Sequence, residues 1–177
     1  AANPFDRFRS HKGKPLRIHT NGVMGGVSLR KGPKIAEVAA LFHDLGKLNP
    51  NFQPKLDNLP VSGYSSHAYL SSYAFLCYCL SNGSAAMQDL GLTTESQIYS
   101  ILVLIAHHHG SLTNLREILR ASERERLESF LNDKPPLPIS DYLQQWLSHK
   151  PFDMADIISS RGRKWIEQGS GITDAKL

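Results

Sequence analysis

The chain has 177 residues, of which 41% are apolar and 20% charged, the ordinary composition of a globular protein. No apolar run approaches the length of a membrane span, and the N-terminus lacks the hydrophobic stretch of a secretory signal. These features argue against a membrane or secreted protein and predict a cytoplasmic one. We expect a single domain over residues 1–177, with a basic N-terminal segment at 1–15 and a flexible tail at 169–177.

Positive charge is concentrated near the N-terminus, although the net charge is only +4. Residues 7–34 contain eight Lys and Arg residues and no Asp or Glu. Such a segment suits a polyanionic partner, or it is simply a solvated surface. The candidate nucleic-acid contacts are Arg7, Arg9, Lys12 and Lys14.

The spacing of apolar residues predicts helices throughout and no strand. Thr94 followed by Gln97 is a capping-box pattern at one helix start. Gly22, Gly25 and Gly26 weaken the first helix, and close packing against another backbone would explain them. The predicted helices cover 16–29, 34–47, 66–81, 94–109, 114–131, 140–149 and 152–168.

The stretch LFHDLGK at residues 41–47 places two ionisable side chains at the end of an apolar helical pattern. Buried ionisable groups are costly unless they are paired, hydrogen-bonded or bound to a metal, so His43 and Asp44 need partners. Taken alone, Asp44 could simply pair with Lys47, which stands three residues later on the same helix face.

Histidines supply further candidate partners. Five of the eight lie within, or at an end of, a predicted apolar helix: His19, His43, His67, His108 and His109. Each one alone is more often a core or capping residue than a ligand. Together with Asp44 they indicate a metal centre, because helices that converge on a core build such sites from distant residues. Neighbouring helical residues point about 100° apart, so we interpret His107 as an outer or surface residue.

Imidazole and carboxylate are ligands that suit manganese, iron, cobalt, nickel or zinc. Cys77 and Cys79 point about 200° apart on a helix, so they favour neither a disulfide nor a metal pair. The absence of a cysteine cluster argues against a structural zinc site. A carboxylate can bridge two ions, and two ions roughly 3.5–4 Å apart can hold a phosphodiester and activate water for hydrolysis.

The order of these residues resembles a known family. His19, then HDLGK at 43–47, His67 and HHG at 108–110 are similar to the HD-domain superfamily of metal-dependent phosphohydrolases. The segments HDLGKLNPNFQPKL and IAHHHGSL narrow the resemblance to the HD nuclease domain of the CRISPR-associated helicase-nuclease of type I interference systems. The resemblance covers about residues 16–160. It implies an all-α HD-domain helical bundle with a dinuclear metal site in its centre.

The resemblance also implies roles for individual residues. Lys47 would contact the scissile phosphate or orient Asp44, so both residues are catalytic candidates. Asp156 in MADIISS would complete the first metal site, with Asp153 as the alternative. The family usually has a small residue where His107 stands. The implied ligands of one ion are His19, His43, Asp44 and Asp156, and those of the second are Asp44, His67, His108 and His109.

The implied activity is cleavage of single-stranded DNA by metal-activated water, with endonuclease and exonuclease action both open. The implied cofactors are two divalent ions, of manganese, iron, cobalt or nickel, with magnesium as an alternative. The implied partners are a helicase subunit or domain and a guide-RNA surveillance complex. One alternative is an HD phosphohydrolase of nucleotides or phosphomonoesters, for which His67, His108 and His109 would be superfluous. Another is a non-catalytic module that binds nucleic acid.

Overall fold

Helices make up most of the described chain, which confirms the all-α prediction. The computed structural model describes residues 2–109, 121–133 and 136–157, with the backbone alone at 121–124 and 156–157. No helix within these ranges is long and apolar enough to cross a membrane. The helices are α1 Leu16–Leu29, α2 Lys34–Phe42, α3 His67–Asn82, α4 Ser84–Leu90, α5 Glu95–Ala106, α6 Ala121–Asp133, α7 Ile139–Leu143 and α8 Met154–Ile157.

A small β-hairpin precedes α1, and here the prediction of no strand is wrong. Strand β1, Arg9–His11, pairs antiparallel with β2, Lys14–Pro15. Gly13 lies in the turn between them with a φ of 78°, a conformation that glycine adopts without strain. Strands of two or three residues are too short to show a period in sequence, so the hairpin could not be recognised from alternation.

Two predicted helices end earlier than the sequence suggests. Helix α2 ends at Phe42 rather than at residue 47, and α5 ends at Ala106 rather than at residue 109. In each case a histidine just beyond the end bonds through its Nδ1 to a carbonyl oxygen three residues back. His43 reaches the carbonyl of Ala40 at 2.7 Å, and His108 reaches that of Ile105 at 2.6 Å. These bonds occupy carbonyls that a longer helix would need.

Other boundaries differ less, or lie outside the described residues. Gly83, at a φ of 55°, separates α3 from α4, which was not predicted. Helix α7 covers only the first part of the predicted helix at 140–149. Two short 3-10 helices, Leu45–Leu48 and Gln53–Asp57, follow α2. The predicted helical segments at 114–120 and 158–168 lie outside the described residues.

Helix α2 lies in the middle of the structure, packed against α1 on one side and α5 on another. Its last residue, Phe42, makes an edge-to-face contact with Phe75 of α3, with ring centroids 5.0 Å apart, and lies 5.5 Å from the ring of Tyr78. All three rings are fully buried. Such aromatic pairs add about 0.5–1.5 kcal/mol each beyond the area they bury. This anchoring of Phe42 brings the next residues, His43 and Asp44, into the interior.

We expected the glycines of α1 to pack closely against another backbone, but the described part of the structure shows no such packing. Among the described residues, a Cβ atom added at Gly22, Gly25 or Gly26 would meet no atom within 4 Å apart from the backbone of its own helix. Helix α1 is held by other contacts: the hydroxyl of Thr20 donates to the carbonyl of Leu16 and lies 3.1 Å from the hydroxyl of Tyr142 in α7.

Candidate metal centre

Asp44 is the centre of the histidine cluster. Its side chain is only 3% exposed and follows α2 at the start of the 3-10 helix Leu45–Leu48. Its Oδ2 atom lies 3.2 Å from Nε2 of His19 and 3.3 Å from Nε2 of His43. Its Oδ1 atom lies 3.6 Å from Nε2 of His67 and 3.4 Å from Nε2 of His108. One carboxylate therefore faces a different pair of histidines with each oxygen.

The ligand atoms form two groups that share Asp44. Within each group, one ligand atom per residue lies within 4.8 Å of all the others. The structure thus brings together all six of the predicted ligands whose side chains it describes. The first group is His19, His43 and Asp44, and the second is Asp44, His67, His108 and His109.

Four helices bring these side chains together. His19 projects from the second turn of α1, and His67 is the first residue of α3. His43 and the pair His108–His109 lie in the turns that follow α2 and α5. A turn just past a helix end lets a side chain cross the end of the helix instead of lying along its flank.

The hydrogen bonds at the two helix ends select the atom that each ring presents to Asp44. A carbonyl oxygen can only accept, so Nδ1 of His43 and Nδ1 of His108 must carry the proton. In a neutral ring this leaves a lone pair on Nε2, which is the atom that faces Asp44. Backbone carbonyls commonly fix metal-binding histidines in this way.

Gly46 sets the spacing between the Asp44 segment and α3. Its N–H donates to Oγ of Ser71 at 2.7 Å, and that hydroxyl donates to the carbonyl of His67. A Cβ atom at position 46 would overlap the backbone of His67. Glycine is therefore required here, because two backbone segments that each carry a ligand are in direct contact.

The electrostatics favour an ionised Asp44 and neutral rings at His19, His67 and His109. Burial opposes the charge on Asp44, but its contacts with His108 and His43 and the charge of Lys47 outweigh it and hold the pKa of the carboxyl well below its usual range. Burial lowers the pKa of His67 to about 3 and also lowers the pKa values of His19 and His109. A deprotonated carboxylate and neutral imidazoles are the forms that bind metal ions.

The cluster is not satisfied by the protein alone. Within the part of the chain that the structure describes, Oδ1 of Asp44 and Nε2 of His108 are buried and have no hydrogen-bond partner. Nε2 of His67 also lies 2.9 Å from Nε2 of His109, and Nε2 of His19 lies 3.3 Å from Nε2 of His43. Each pair forms an N–H···N hydrogen bond when one of its rings carries the proton on Nε2, and both nitrogens can bind a cation when the protons are on Nδ1. The donor set therefore fits a pair of divalent ions.

Lys47 is paired with Asp44, as its position three residues later suggested. Its ammonium group, on a residue only 7% exposed, donates to Oδ2 of Asp44 at 2.8 Å and to the carbonyl oxygen of Ser10 at 3.0 Å. The carboxylate of Asp44 therefore pairs with Lys47 and faces the histidines at the same time.

Two further residues belong to neither group, and a third has its side chain outside the described residues. His107 directly follows the last residue of α5. The carboxylate of Asp153 accepts a hydrogen bond from the N–H of Ala155 at 2.9 Å, which occupies it at the start of α8. The backbone of Asp156 lies in α8, and its side chain is outside the described residues.

The predicted DNA contacts lie on or beside the hairpin. Arg9 forms an ion pair with Asp57 at 2.6 Å, and Arg7 lies over the ring of Phe8. The pKa of His19 is lowered mainly by burial, and the positive charge of Lys14 lowers it further. The charge of Lys14 therefore acts on the metal centre. The charge of Lys12 acts instead on Asp57, whose pKa is lowered mainly by its hydrogen bonds from Arg9.

The sequence pattern did not identify Ser10 or Gln53 as part of the site. Ser10 contributes a backbone carbonyl, which any residue could supply. Gln53 stands in the segment that carries the family resemblance, but its partners are backbone groups of distant residues and leave no pattern in the sequence.

Comparison with known proteins gives one match. The model of the family described as Cas3, HD domain, matches residues 8–158. No curated protein and no solved structure matches the chain.

Proposed function

This chain belongs to the Cas3 HD-domain family, and we propose that it cleaves single-stranded DNA by two-metal hydrolysis in CRISPR type I interference. The family is one of metal-dependent HD hydrolases, and the cluster around Asp44 offers the ligands that such an enzyme needs. A helicase and a guide-RNA surveillance complex would deliver the strand.

The main support for the proposal is that the two oxygens of the Asp44 carboxylate face two different groups of histidines. A mononuclear phosphohydrolase needs only the group that contains His19 and His43. Here His67 and His108 face the second oxygen of the same carboxylate, at 3.6 and 3.4 Å. A bridging carboxylate between two sets of ligands is the arrangement expected for two adjacent ions.

The chain's own residues would perform three tasks. The histidines would hold the ions, and Asp44 would be a ligand of both. Two divalent ions, when bound, supply an activated water and neutralise charge on the phosphodiester. Lys47 has three N–H donors and uses two, on Asp44 and on Ser10, which leaves one for a phosphate oxygen. We propose manganese, iron, cobalt or nickel as the ion, with magnesium as an alternative.

The proposal is tested by supplying metal-stripped protein with manganese, cobalt or nickel and measuring cleavage of circular and linear single-stranded DNA. We expect metal-dependent cutting by the wild type and none by Asp44→Ala, because that variant loses a ligand of both ions. Asp89→Ala is the matched control, since Asp89 is an exposed carboxylate on α4. Cutting of the circle would identify an endonuclease.

Cleavage by Asp44→Ala at the wild-type rate would contradict the two-metal proposal. Hydrolysis of nucleotides or phosphomonoesters without any cleavage of DNA would instead assign the chain to the small-molecule branch of HD hydrolases.

A further inference from the structure

We infer that Gln53 is a positioning residue, which fastens the N-terminal hairpin to the backbone of Lys47 and thereby holds the Lys47 ammonium group against Asp44. The hairpin is the pair of strands β1 and β2. Gln53 bonds to none of the candidate ligands whose side chains the structure describes, so it would act on the site only through Lys47.

Among the described residues, the side chain of Gln53 makes three hydrogen bonds, all to backbone groups. Its Oε1 accepts from the N–H of Arg9 at 3.0 Å, and its Nε2 donates to the carbonyl of Arg9 at 3.1 Å. Nε2 also donates to the carbonyl of Lys47 at 2.7 Å. The amide thus pairs with both backbone groups of Arg9, as a neighbouring strand would, and joins β1 to the Lys47 segment.

The next residue of β1 completes the connection. Ser10 follows Arg9, and its carbonyl oxygen accepts from the ammonium group of Lys47 at 3.0 Å. Lys47 is therefore held at both ends: Gln53 binds its backbone carbonyl, and Ser10 binds its ammonium group. The same ammonium group donates to Oδ2 of Asp44.

A lysine needs this support more than most residues would. Its ammonium group ends a flexible four-carbon stem, and fixing such a side chain costs rotamer entropy. The second polar link between the hairpin and the 3-10 helix Gln53–Asp57 is the ion pair of Arg9 with Asp57, whose side chains are 31% and 40% exposed. This ion pair is bidentate, but it does not reach the Lys47 segment, whereas the amide of Gln53 binds both Arg9 and Lys47. Asp57 therefore offers a matched control.

The first test needs neither metal nor DNA. The ammonium 1H–15N resonance of Lys47 is recorded by NMR in metal-free wild-type, Gln53→Met and Asp57→Asn proteins. We expect Gln53→Met to shift this resonance or broaden it through faster proton exchange, and Asp57→Asn to leave it in place. An unchanged Lys47 resonance in a folded Gln53→Met protein would overturn the inference. If that variant does not fold, Gln53→Glu removes the two donated bonds and keeps the accepted one, and the same outcomes apply.

The second test rests on the proposed function and reads turnover of single-stranded DNA. Residues that orient a catalytic group typically cost 10–100-fold when removed, and we expect a loss of about this size for Gln53→Met. The loss should nearly disappear when Lys47→Met is already present, because Gln53 then has no ammonium group to position. An undiminished loss in the Lys47→Met background would assign Gln53 a merely structural role.

The two tests separate failure of the inference from failure of the proposed function. A wild-type protein that cuts no DNA would refute the nuclease, while the Lys47 resonance would still decide the role of Gln53.

Discussion

At the scale of single residues, the metal centre depends on how the buried carboxylate of Asp44 is stabilised. Burying an isolated charge costs far more than any single hydrogen bond returns. Asp44 nevertheless keeps its charge beside Lys47, and its Oδ1 atom has no hydrogen-bond partner in the described part of the chain. Such an arrangement is better suited to binding cations than to stabilising the fold.

The triple histidine allows a direct test of the ligand assignment. His108→Ala should weaken manganese binding by more than about 100-fold, because even partners of ligands typically cost 10–100-fold. His107→Ala should cost far less, since His107 belongs to neither group. Isothermal titration of metal-free protein measures both affinities. Equal losses would show that the register of the three histidines is wrong.

The glycines allow a second test at this scale. Gly46→Ala should lower the free energy of unfolding by about 2–3 kcal/mol, because its Cβ atom would overlap the backbone of His67. Gly22→Ala, in the open face of α1, should instead raise it by about 0.5–1 kcal/mol. Urea denaturation of both variants gives the two values. A Gly46→Ala protein as stable as the wild type would contradict the close contact between the two segments.

At the scale of elements, the sequence predicted which helices exist better than where they end. The apolar period of α2 and the capping box of α5 are local features, and both were correctly interpreted. The ends at Phe42 and Ala106 depend on His43 and His108 bonding to backbone carbonyls. His43 and His108 fit the helical spacing of the residues before them, so periodicity could not show that each helix ends before its histidine.

The hairpin is the element that we expect to bind the DNA backbone. Lys12→Gln with Lys14→Gln should reduce the dependence of binding on salt, by about 0.7 in the log–log slope for each lost phosphate contact on single-stranded DNA. Arg30→Gln with Lys31→Gln removes the same charge just beyond the far end of α1, a helix about 21 Å long, and serves as the control. Fluorescence anisotropy over a range of salt concentrations measures the slopes. Equal slopes for the two double variants would assign the hairpin lysines to ordinary surface.

At the scale of the whole molecule, the fold brings together ligands from four helices and the turns after them. The sequence predicted the six candidate ligands that the structure brings together because histidines recur beside apolar helical patterns, and the family resemblance arranged them into two sets. Periodicity alone could not supply that arrangement, because it contains no distances between helices. The role of Gln53 escaped prediction for the same reason, because its side chain bonds to the backbone of Arg9, 44 positions away.

The most direct test is to measure how many manganese ions bind to the metal-free protein and whether their spins are coupled. Titration followed by electron paramagnetic resonance should show two ions per chain with a spin-coupled signal, as expected for ions about 3.5–4 Å apart that share a carboxylate. Asp44→Asn should abolish that signal. One ion per chain, or two ions without coupling, would contradict the proposal that Asp44 joins two metal sites.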